Sequence, residues 1–194
     1  HCYQCAAACP QEAILSDPAR RVDFGRCDDC GRCAQVCPRD GLRQVGHWWS
    51  ASALVAEILK DRDHFEDSGG GVTLSGGEPC LQAAFLGVLL PQLRAADLHV
   101  TLQTCGLFRW ERIAPLVPLI DLVYFDLKHM DPGAHRQLTG ADNAPILENF
   151  TRLADRGARL QPRMPVIPGH NDTRADIAAV ARWLKHNGIR TIRC

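Results

Sequence analysis

The chain has 194 residues, 46% of them hydrophobic, and its 22 basic side chains balance 22 acidic ones. A balanced charge gives no bulk electrostatic reason to expect nucleic acid or an anionic membrane as a partner, and no apolar run approaches the roughly 20 residues of a membrane span. The length predicts one or two domains with enough chain to bury a sizeable core.

Cysteines dominate the first part of the chain, where seven of the ten lie between residues 2 and 37. Residues 27–38 read CDDCGRCAQVCP, the C-x₂-C-x₂-C-x₃-C-P spacing of a bacterial ferredoxin iron–sulfur run. Residues 1–10, HCYQCAAACP, repeat its last three cysteines. The first cysteine of this run is expected three residues before Cys2, outside the given chain, which predicts that the chain is a fragment. The predicted cluster ligands are Cys2, Cys5, Cys9, Cys27, Cys30, Cys33 and Cys37.

These runs favour two 4Fe-4S clusters, and with them a reducing, cytoplasmic compartment. Disulfides would explain the number of cysteines but not the two parallel runs, and zinc prefers separated C-x₂-C pairs. In two-cluster modules the fourth cysteine of each run ligates the other cluster. One cluster is therefore expected to take Cys27, Cys30, Cys33 and Cys9. The other is left with Cys2, Cys5, Cys37 and a ligand outside the chain.

A domain over residues 1–46 is too short to be held by hydrophobic burial, and ligated metal would hold it instead. Beyond it, strands and helices alternate. Apolar runs predict strands at 72–74, 98–103, 119–126, 159–167 and 189–193. Helical stripes lie between them, most clearly at 146–153 and 177–184, while Pro91 and Pro162 interrupt one helix and one strand. Repeated βα units predict a parallel sheet, open or closed into a barrel, with function at the carboxyl ends of its strands.

The predicted strand ends are polar or rich in glycine: SGGEP at 75–79, QTCG at 103–106, DLKH at 126–129 and PVIPGHND at 165–172. The glycines of SGGEP let a backbone edge approach a ligand, and its glutamate offers a carboxylate that suits a cationic amine. The alternative for SGGEP is an ordinary tight turn that begins a helix. Lone histidines near a pocket are more often structural than catalytic, so the histidines of the last two motifs are assigned no role.

In this order, the two cysteine runs, GGGVTLSGGEP, DLVYFDLKHMD, LTG, ILENF and PVIPGHND resemble the glycyl-radical enzyme activating enzymes of the radical SAM superfamily. The resemblance implies an α/β fold: a partial parallel (β/α)6 radical SAM barrel, incomplete here, over residues 47–194, preceded by a two-cluster ferredoxin-like domain over residues 1–46. The family's first strand with its C-x₃-C-x₂-C loop, which holds a third 4Fe-4S cluster in the intact enzyme, is expected outside the chain, as is the C-terminal end of the barrel. No catalytic residue is therefore assigned, and the fragment alone is expected to be inactive.

The resemblance also implies an activity. The intact enzyme would reductively cleave S-adenosyl-L-methionine to a 5′-deoxyadenosyl radical, which would abstract a hydrogen from a backbone glycine of a partner glycyl-radical enzyme. Electrons would come from a donor such as flavodoxin or ferredoxin. The alternatives are a radical SAM enzyme acting on a small molecule or a peptide, and a non-enzymatic ferredoxin-type electron carrier fused to a barrel. A C-x₃-C-x₂-C motif upstream of His1 would decide for radical chemistry.

Cofactor contacts follow from the resemblance by matching position. Gly76, Gly77 and Glu78 would receive the methionine amino group. By the same resemblance Lys128 would hold the methionine carboxylate, and the alternative is a solvated surface lysine. Its position two residues after Asp126 on a strand puts both side chains on one face, at the barrel mouth. Further contacts are expected from Arg163, with Val166 and Ile167 as apolar walls for the adenine.

Two more positions match a monovalent cation site that some members carry. They are Thr104 and Asp126, but Gln103 stands where those members have an acid, and Asp126 could instead pair with Lys128. The long, turn-rich connection between residues 126 and 146 is expected to dock a protein substrate, or else to form an ordinary helix at 132–138.

Overall fold

The computed structural model describes residues 2–17 and 19–194 and divides the chain into two compact units, His1–Trp49 and Ser50–Cys194. The boundary expected from the sequence lay at residues 46 and 47. No helix of the described residues is long and apolar enough to span a bilayer.

The first unit is a tandem repeat with a period of 28 residues, the distance from Cys2 to Cys30. Each repeat contributes one short helix, α1 (Gln4–Ala7) or α2 (Arg32–Gln35). The residue before each helix is left-handed, with φ of 55° at Tyr3 and 72° at Gly31. A second pair of left-handed residues, Glu12 and Asp40, also lies 28 positions apart, with φ of 48° and 49°. The backbone therefore repeats as closely as the cysteine spacing does.

The second unit is built on a parallel four-stranded sheet of order β1-β2-β3-β4. Its strands are β1 (Gly71–Leu74), β2 (His99–Thr104), β3 (Leu122–Asp126) and β4 (Leu160–Arg163). Gly71 is required at the start of β1, because a Cβ there would lie 2.2 Å from the carbonyl oxygen of His99. The predicted α/β class with a parallel sheet is confirmed.

Two helices precede β1, and the other five follow the strands in βα order. They are α3 (Ala51–Ile58), α4 (Arg62–Ser68), α5 (Ala83–Ala95), α6 (Trp110–Ile113), α7 (Pro132–Thr139), α8 (Ala144–Asp155) and α9 (Arg174–His186). Single 3-10 turns lie at Leu59–Asp61, Pro79–Gln82 and Val117–Leu119. The side chains of Ser50, Asp131 and Thr173 cap α3, α7 and α9, because each accepts a hydrogen bond from a backbone N–H of the first turn.

The two faces of the sheet differ sharply. One face packs on the helices and is apolar, with Val100, Leu102, Val123, Phe125 and Met164 at most 2% exposed. The register then places the alternate positions on the other face, where Leu122 is apolar and the other side chains of the four strands are polar. The polar side chains are Thr73, His99, Thr101, Gln103, Tyr124, Asp126, Gln161 and Arg163.

Aromatic packing closes the core between the sheet and the helices. The rings of Phe125 and Phe150 meet edge to face with centroids 5.0 Å apart, and Trp183 packs on Phe150 at 4.8 Å. Phe125 and Phe150 are fully buried. The stripes predicted at 146–153 and 177–184 thus lie on α8 and α9, whose apolar faces cover the sheet.

Three strand predictions were too long. The start of β3 falls at Leu122 because residues 117–119 form a 3-10 turn around Pro118. The predicted strand 159–167 ends at Arg163, and the predicted strand 189–193 is reduced to one bridge, between Arg193 and Arg163.

Prolines explain how two elements end or persist. Pro165 lies two residues beyond the end of β4 and has no N–H to donate to a ladder. Pro162 is tolerated inside β4 because its carbonyl accepts from the Arg193 N–H, so its nitrogen faces away from β3. Pro91 lies inside α5 without ending that helix.

Candidate functional site

The site predicted from the sequence lies where the polar face meets the carboxyl ends of the strands. The SGGEP turn leaves β1 with Gly76 at a φ of 125°, a conformation that side chains avoid. Gly77 does not have a positive φ, and a Cβ at either glycine would meet no atom within 4 Å. The packing of the protein therefore does not require glycine at position 77, and the space above the backbone is open.

The Glu78 carboxylate ties the end of β1 to the end of β2. Its Oε1 accepts from the hydroxyl of Thr104 at 2.8 Å and from the Cys80 N–H at 3.1 Å, and its Oε2 accepts from the Cys105 N–H at 2.8 Å. A carboxylate can accept about four hydrogen bonds, so these three leave Oε2 with capacity for one more donor. The carboxylate is held rigidly and stays available to one ligand N–H.

Thr104 is 2% exposed and lies on the apolar side of the sheet, where its register partner is Phe125. Its hydroxyl donates to Glu78 and accepts from the Gly106 N–H at 2.9 Å. Asp126 is one register position further along, on the polar face. The geometry thus does not bring the Thr104 side chain and the Asp126 carboxylate together around one ion.

Asp126 and Arg163 are register partners on β3 and β4 and form an ion pair, with Nε 3.1 Å from Oδ1. The Arg163 guanidinium also lies over the Tyr124 ring, 5.1 Å from its centroid. Asp126 therefore pairs with Arg163, and within the described part of the chain it forms no ion pair with Lys128. The terminal guanidinium nitrogens keep their donors, since only Nε bonds to the carboxylate.

Lys128 is partly buried just beyond β3, in phase with Tyr124 and Asp126. Among the described residues its ammonium forms no hydrogen bond and no ion pair. Burial raises the pKa of the nearby Cys105 thiol, and the positive charge of Lys128 only partly opposes this effect. Burial likewise raises the pKa of Cys80, so both thiols stay protonated at neutral pH.

Three buried asparagines, which the sequence did not single out, hold the strand-end loops. Each uses its Nδ2 group to donate to two backbone carbonyls: Asn149 to Gly106 and Phe108, Asn143 to His129 and Met130, and Asn171 to Lys128 and Pro165. All three are at most 4% exposed. A buried amide needs hydrogen-bond partners. The asparagine in ILENF and the one in PVIPGHND are the sequence signal that could have identified Asn149 and Asn171.

His129 has a structural role in this loop. Its Nδ1 accepts from the Asp131 N–H at 3.0 Å, and its Nε2 lies 3.5 Å from Oδ1 of Asp176 on α9.

The cysteine-rich unit positions thiols from both repeats near one another. Burial raises the pKa of Cys33, and the charges of Cys27 and Cys9 raise it further, so cysteines from both runs are neighbours. The last cysteine of each run accepts from a backbone N–H four residues on, Cys9 from Ala13 at 3.2 Å and Cys37 from Gly41 at 3.1 Å.

Individual thiols differ in their charged neighbours. Backbone N–H groups of Arg39, Leu42 and Gly41 lower the pKa of Cys37, which favours the thiolate that binds metal. The guanidinium of Arg21 lies 4.0 Å from Sγ of Cys5, whereas the carboxylate of Asp29 lies 3.7 Å from Sγ of Cys27. Across residues 2–17 and 19–194, no three His, Cys, Asp or Glu side chains converge on a single metal ion.

Comparison with known proteins identifies both units. Residues 28–190 match the radical SAM superfamily, and residues 1–41 match the 4Fe-4S dicluster domain. The matches indicate iron–sulfur clusters and S-adenosyl-L-methionine as the cofactors.

Among curated relatives, the chain is 40% identical over 189 residues to the isethionate sulfite-lyase activating enzyme of Desulfovibrio desulfuricans, covering 95% of this chain and 61% of that protein. It is 38% identical over 191 residues to the pyruvate formate-lyase 2-activating enzyme of Escherichia coli, covering 98% and 65%. The chain thus spans less than two thirds of the length of these relatives.

Among solved structures, a domain of a pyruvate-formate lyase-activating enzyme from Bacteroides vulgatus has a TM-score of 0.59 at 30% identity, covering 63% of this chain and 78% of that one. The radical SAM match extends over most of the chain, including all four strands and the polar strand ends described above. The chain therefore belongs to the radical SAM superfamily.

Proposed function

We propose that this chain is the S-adenosylmethionine-binding sheet and the two-cluster module of a glycyl-radical enzyme activating enzyme. One observation carries the proposal. A four-cysteine ferredoxin run and a radical SAM sheet with charged side chains at the carboxyl ends of its strands occur in one chain, and the relatives of this chain are named activating enzymes. When bound, the cofactors would supply an electron and a 5′-deoxyadenosyl radical that removes a hydrogen from a backbone glycine of the partner.

The charges at the strand ends suit the amino-acid end of S-adenosylmethionine. Oε2 of Glu78 has room for one donor, which fits the ammonium, and the open backbone at Gly77 lets that ammonium approach. The ammonium of Lys128, which forms no ion pair with any residue that the structure describes, suits the carboxylate. The residues present therefore fit the cofactor.

Arg163 would present its terminal guanidinium nitrogens to the same ligand while Asp126 and Tyr124 hold its plane in place. Val166 and Ile167, 39% and 49% exposed, would provide an apolar surface for the adenine. A monovalent cation is not included in this proposal, because the Thr104 hydroxyl is committed to Glu78 and the Asp126 carboxylate to Arg163.

The seven cysteines of the first unit would hold the two 4Fe-4S clusters in the crossed arrangement predicted from the sequence. The proximity of Cys9, Cys27 and Cys33 supports this arrangement, because Cys9 comes from the other run. A cubane cluster separates its thiolates more widely than a single ion does, so the absence of a single-ion site among the described residues is compatible with it. These clusters would pass electrons from a flavodoxin or ferredoxin in a reducing, cytoplasmic compartment.

Activity is tested with the full-length protein, reduced anaerobically with S-adenosylmethionine and a glycyl-radical enzyme from the same genome. Electron paramagnetic resonance should show a persistent glycine-centred doublet. A partner variant with alanine at the radical glycine is the matched control and should give none. Robust cofactor cleavage with no doublet from any candidate partner would replace this proposal with a small-molecule or peptide substrate.

The cofactor site is tested with Lys128→Met, because this ammonium has no partner to lose within residues 2–17 and 19–194. A charge-assisted hydrogen bond contributes about 1.5–3 kcal/mol, so the dissociation constant for S-adenosylmethionine should rise about tenfold to a hundredfold. Lys185→Met, the same change at an exposed position of α9, should leave it unchanged. Equal dissociation constants for the two variants would show that the pocket is misplaced. Glu78 is a poorer probe, since its substitution also breaks the tie between β1 and β2.

A further inference from the structure

The ladder between β3 and β4 ends just where the proposed cofactor site begins. Its last rung is the hydrogen bond from the Leu127 N–H to the Arg163 carbonyl, at 2.8 Å. Beyond the end of β4, the next residue in line to donate toward β3 is Pro165, which has no N–H. Backbone pairing therefore cannot continue into the two loops that carry Lys128 and residues 165–167.

The side chain of Asn171 replaces the missing rung. Its Nδ2 donates to the Lys128 carbonyl at 2.9 Å and to the Pro165 carbonyl at 2.8 Å, and its Oδ1 accepts from the Ile167 N–H at 2.7 Å. The amide is 2% exposed, and three hydrogen bonds join it to both loops. A single buried side chain thus sets the spacing between the loop after β3 and the loop after β4.

Asn143 holds the same loop after β3 through the carbonyls of the next two residues, His129 and Met130, at 3.1 and 2.8 Å. Buried asparagines therefore bind the backbone at three successive residues from Lys128 onward, whereas the Lys128 ammonium has no partner among the described residues. A fixed backbone below an unpaired charge is the arrangement expected of a preorganised ligand contact.

We propose that Asn171 is a positioning residue that holds the Lys128 loop at a fixed distance from the 165–167 loop, so that the ammonium meets the carboxylate of S-adenosylmethionine while the apolar wall meets its adenine. The inference rests on the proposed cofactor site. Asn171 does not contact the cofactor and acts through Lys128.

The test is a double-mutant cycle in the full-length protein, with the dissociation constant for S-adenosylmethionine measured by calorimetry. Asn171→Ser should raise that constant about tenfold in the wild-type background, because the loop and its ammonium are no longer held. In the Lys128→Met background, Asn171→Ser should raise it by about twofold or less, since the ammonium that it positions is already absent.

Asn149→Ser is the matched control, because Asn149 is also a buried asparagine that donates to two carbonyls, on the loop after β2. Thermal unfolding should show that it destabilises the protein about as much as Asn171→Ser. Asn149→Ser should change the dissociation constant by the same factor in the wild-type and Lys128→Met backgrounds. Coupling to Lys128 for Asn171→Ser, but not for Asn149→Ser, separates a positioning role from a general loss of stability.

The outcomes separate this inference from the proposed function. If Lys128→Met weakens binding and the effect of Asn171→Ser simply adds to it, the positioning role is overturned and the cofactor site stands. If Lys128→Met has no effect, both fall. Should Asn171→Ser fail to fold, Asn171→Asp is used instead, because it keeps the volume and the acceptor for the Ile167 N–H and is expected to give the same coupling.

Discussion

The two units of this chain are held together by different means. In the unit 50–194, more than twenty apolar residues form one continuous buried cluster between the sheet and its helices. In the unit 1–49, the buried apolar residues among those described are Cys5 and Ala13 alone, while Phe24, Val45 and Trp48 are 78%, 97% and 89% exposed. The difference predicts that the second unit is stabilised by its core, whereas the first unit depends on bound clusters.

Iron removal should have the largest effect, because it is expected to unfold the first unit and leave the second folded. Chelation of the anaerobically reconstituted protein should leave the first unit without stable structure, because metal–thiolate bonds supply its folding free energy, and should leave the sheet intact. Hydrogen exchange measured by mass spectrometry should show residues 2–46 exchanging at once and β1 to β4 still protected. Cys30→Ser should lower iron content in the same way, and Cys194→Ser should not. Persistent protection of residues 2–46 without iron would refute metal-dependent stability.

A matched pair of aromatic substitutions tests whether a hydrophobic core stabilises each unit. Phe150→Ala removes a fully buried ring that packs on Phe125 and Trp183, and should lower the free energy of unfolding of the second unit by about 3–5 kcal/mol. Phe24→Ala, at a 78% exposed ring, should change stability by about 0.5 kcal/mol or less. Chemical denaturation of both variants measures this, and similar losses would mean that the first unit has a core after all.

The pH dependence of the second unit should contain a contribution from Asp121. Burial alone would raise the pKa of Asp121, but the Val100 N–H at 2.7 Å and the Arg94 guanidinium at 2.8 Å lower it overall. A lowered folded-state pKa stabilises the protein above the ordinary pKa of an aspartate, and this stabilisation is lost as the pH falls through the folded-state value.

Asp121→Asn should therefore cost about 1–3 kcal/mol at neutral pH and progressively less in acid. Urea unfolding at several pH values measures the difference from wild type. Asp155→Asn, at an exposed carboxylate, provides the control, and a cost for Asp121→Asn that does not shrink in acid would contradict the assignment.

The smallest effect is expected within the first unit, where the two cysteine groups have opposite neighbours. Arg21 lies by Cys5 and Asp29 by Cys27, and a positive charge near a cluster favours its reduced form. In the full-length protein, Arg21→Gln should lower the reduction potential of the cluster that Cys5 ligates, on the order of 50 mV, without changing iron content. Arg20→Gln, at a 69% exposed arginine paired with Asp23, should lower neither potential. Redox titration followed by electron paramagnetic resonance would distinguish these outcomes, and equal potentials in both variants would exclude the electrostatic effect.

Local patterns predicted the positions of the four strands and of the polar motifs that follow them. The apolar runs located all four strands, and the motifs after them located the polar edge, because strand ends are marked in the sequence by glycine, proline and charge. The lengths of β4 and of the predicted strand 189–193 could not be predicted this way. Pro165 stops the β3–β4 ladder because the register puts its nitrogen in line to donate toward β3, and the register is not visible in the sequence. The segment 189–193 keeps only the bridge between Arg193 and Arg163.

The ion-pair and hydrogen-bond partners of the side chains could not be predicted from the sequence either. Alternation correctly put Lys128 in phase with Asp126, but the choice of Arg163 as the partner of Asp126 depends on the register of β3 with β4. The roles of Asn143, Asn149 and Asn171 depend on carbonyls as far as 43 residues away along the chain. Such long-range hydrogen bonds have no periodic signature.

The polar face of the sheet has a consequence for how the site responds to salt. With that face in contact with water, Lys128 and the Arg163–Asp126 pair are screened by mobile ions over a Debye length of about 8 Å at physiological ionic strength. A ligand that covers the face would exclude those ions, and the same charges would then act at a lower effective dielectric constant. Added salt should therefore slow the capture of a charged ligand far more than it hastens its release.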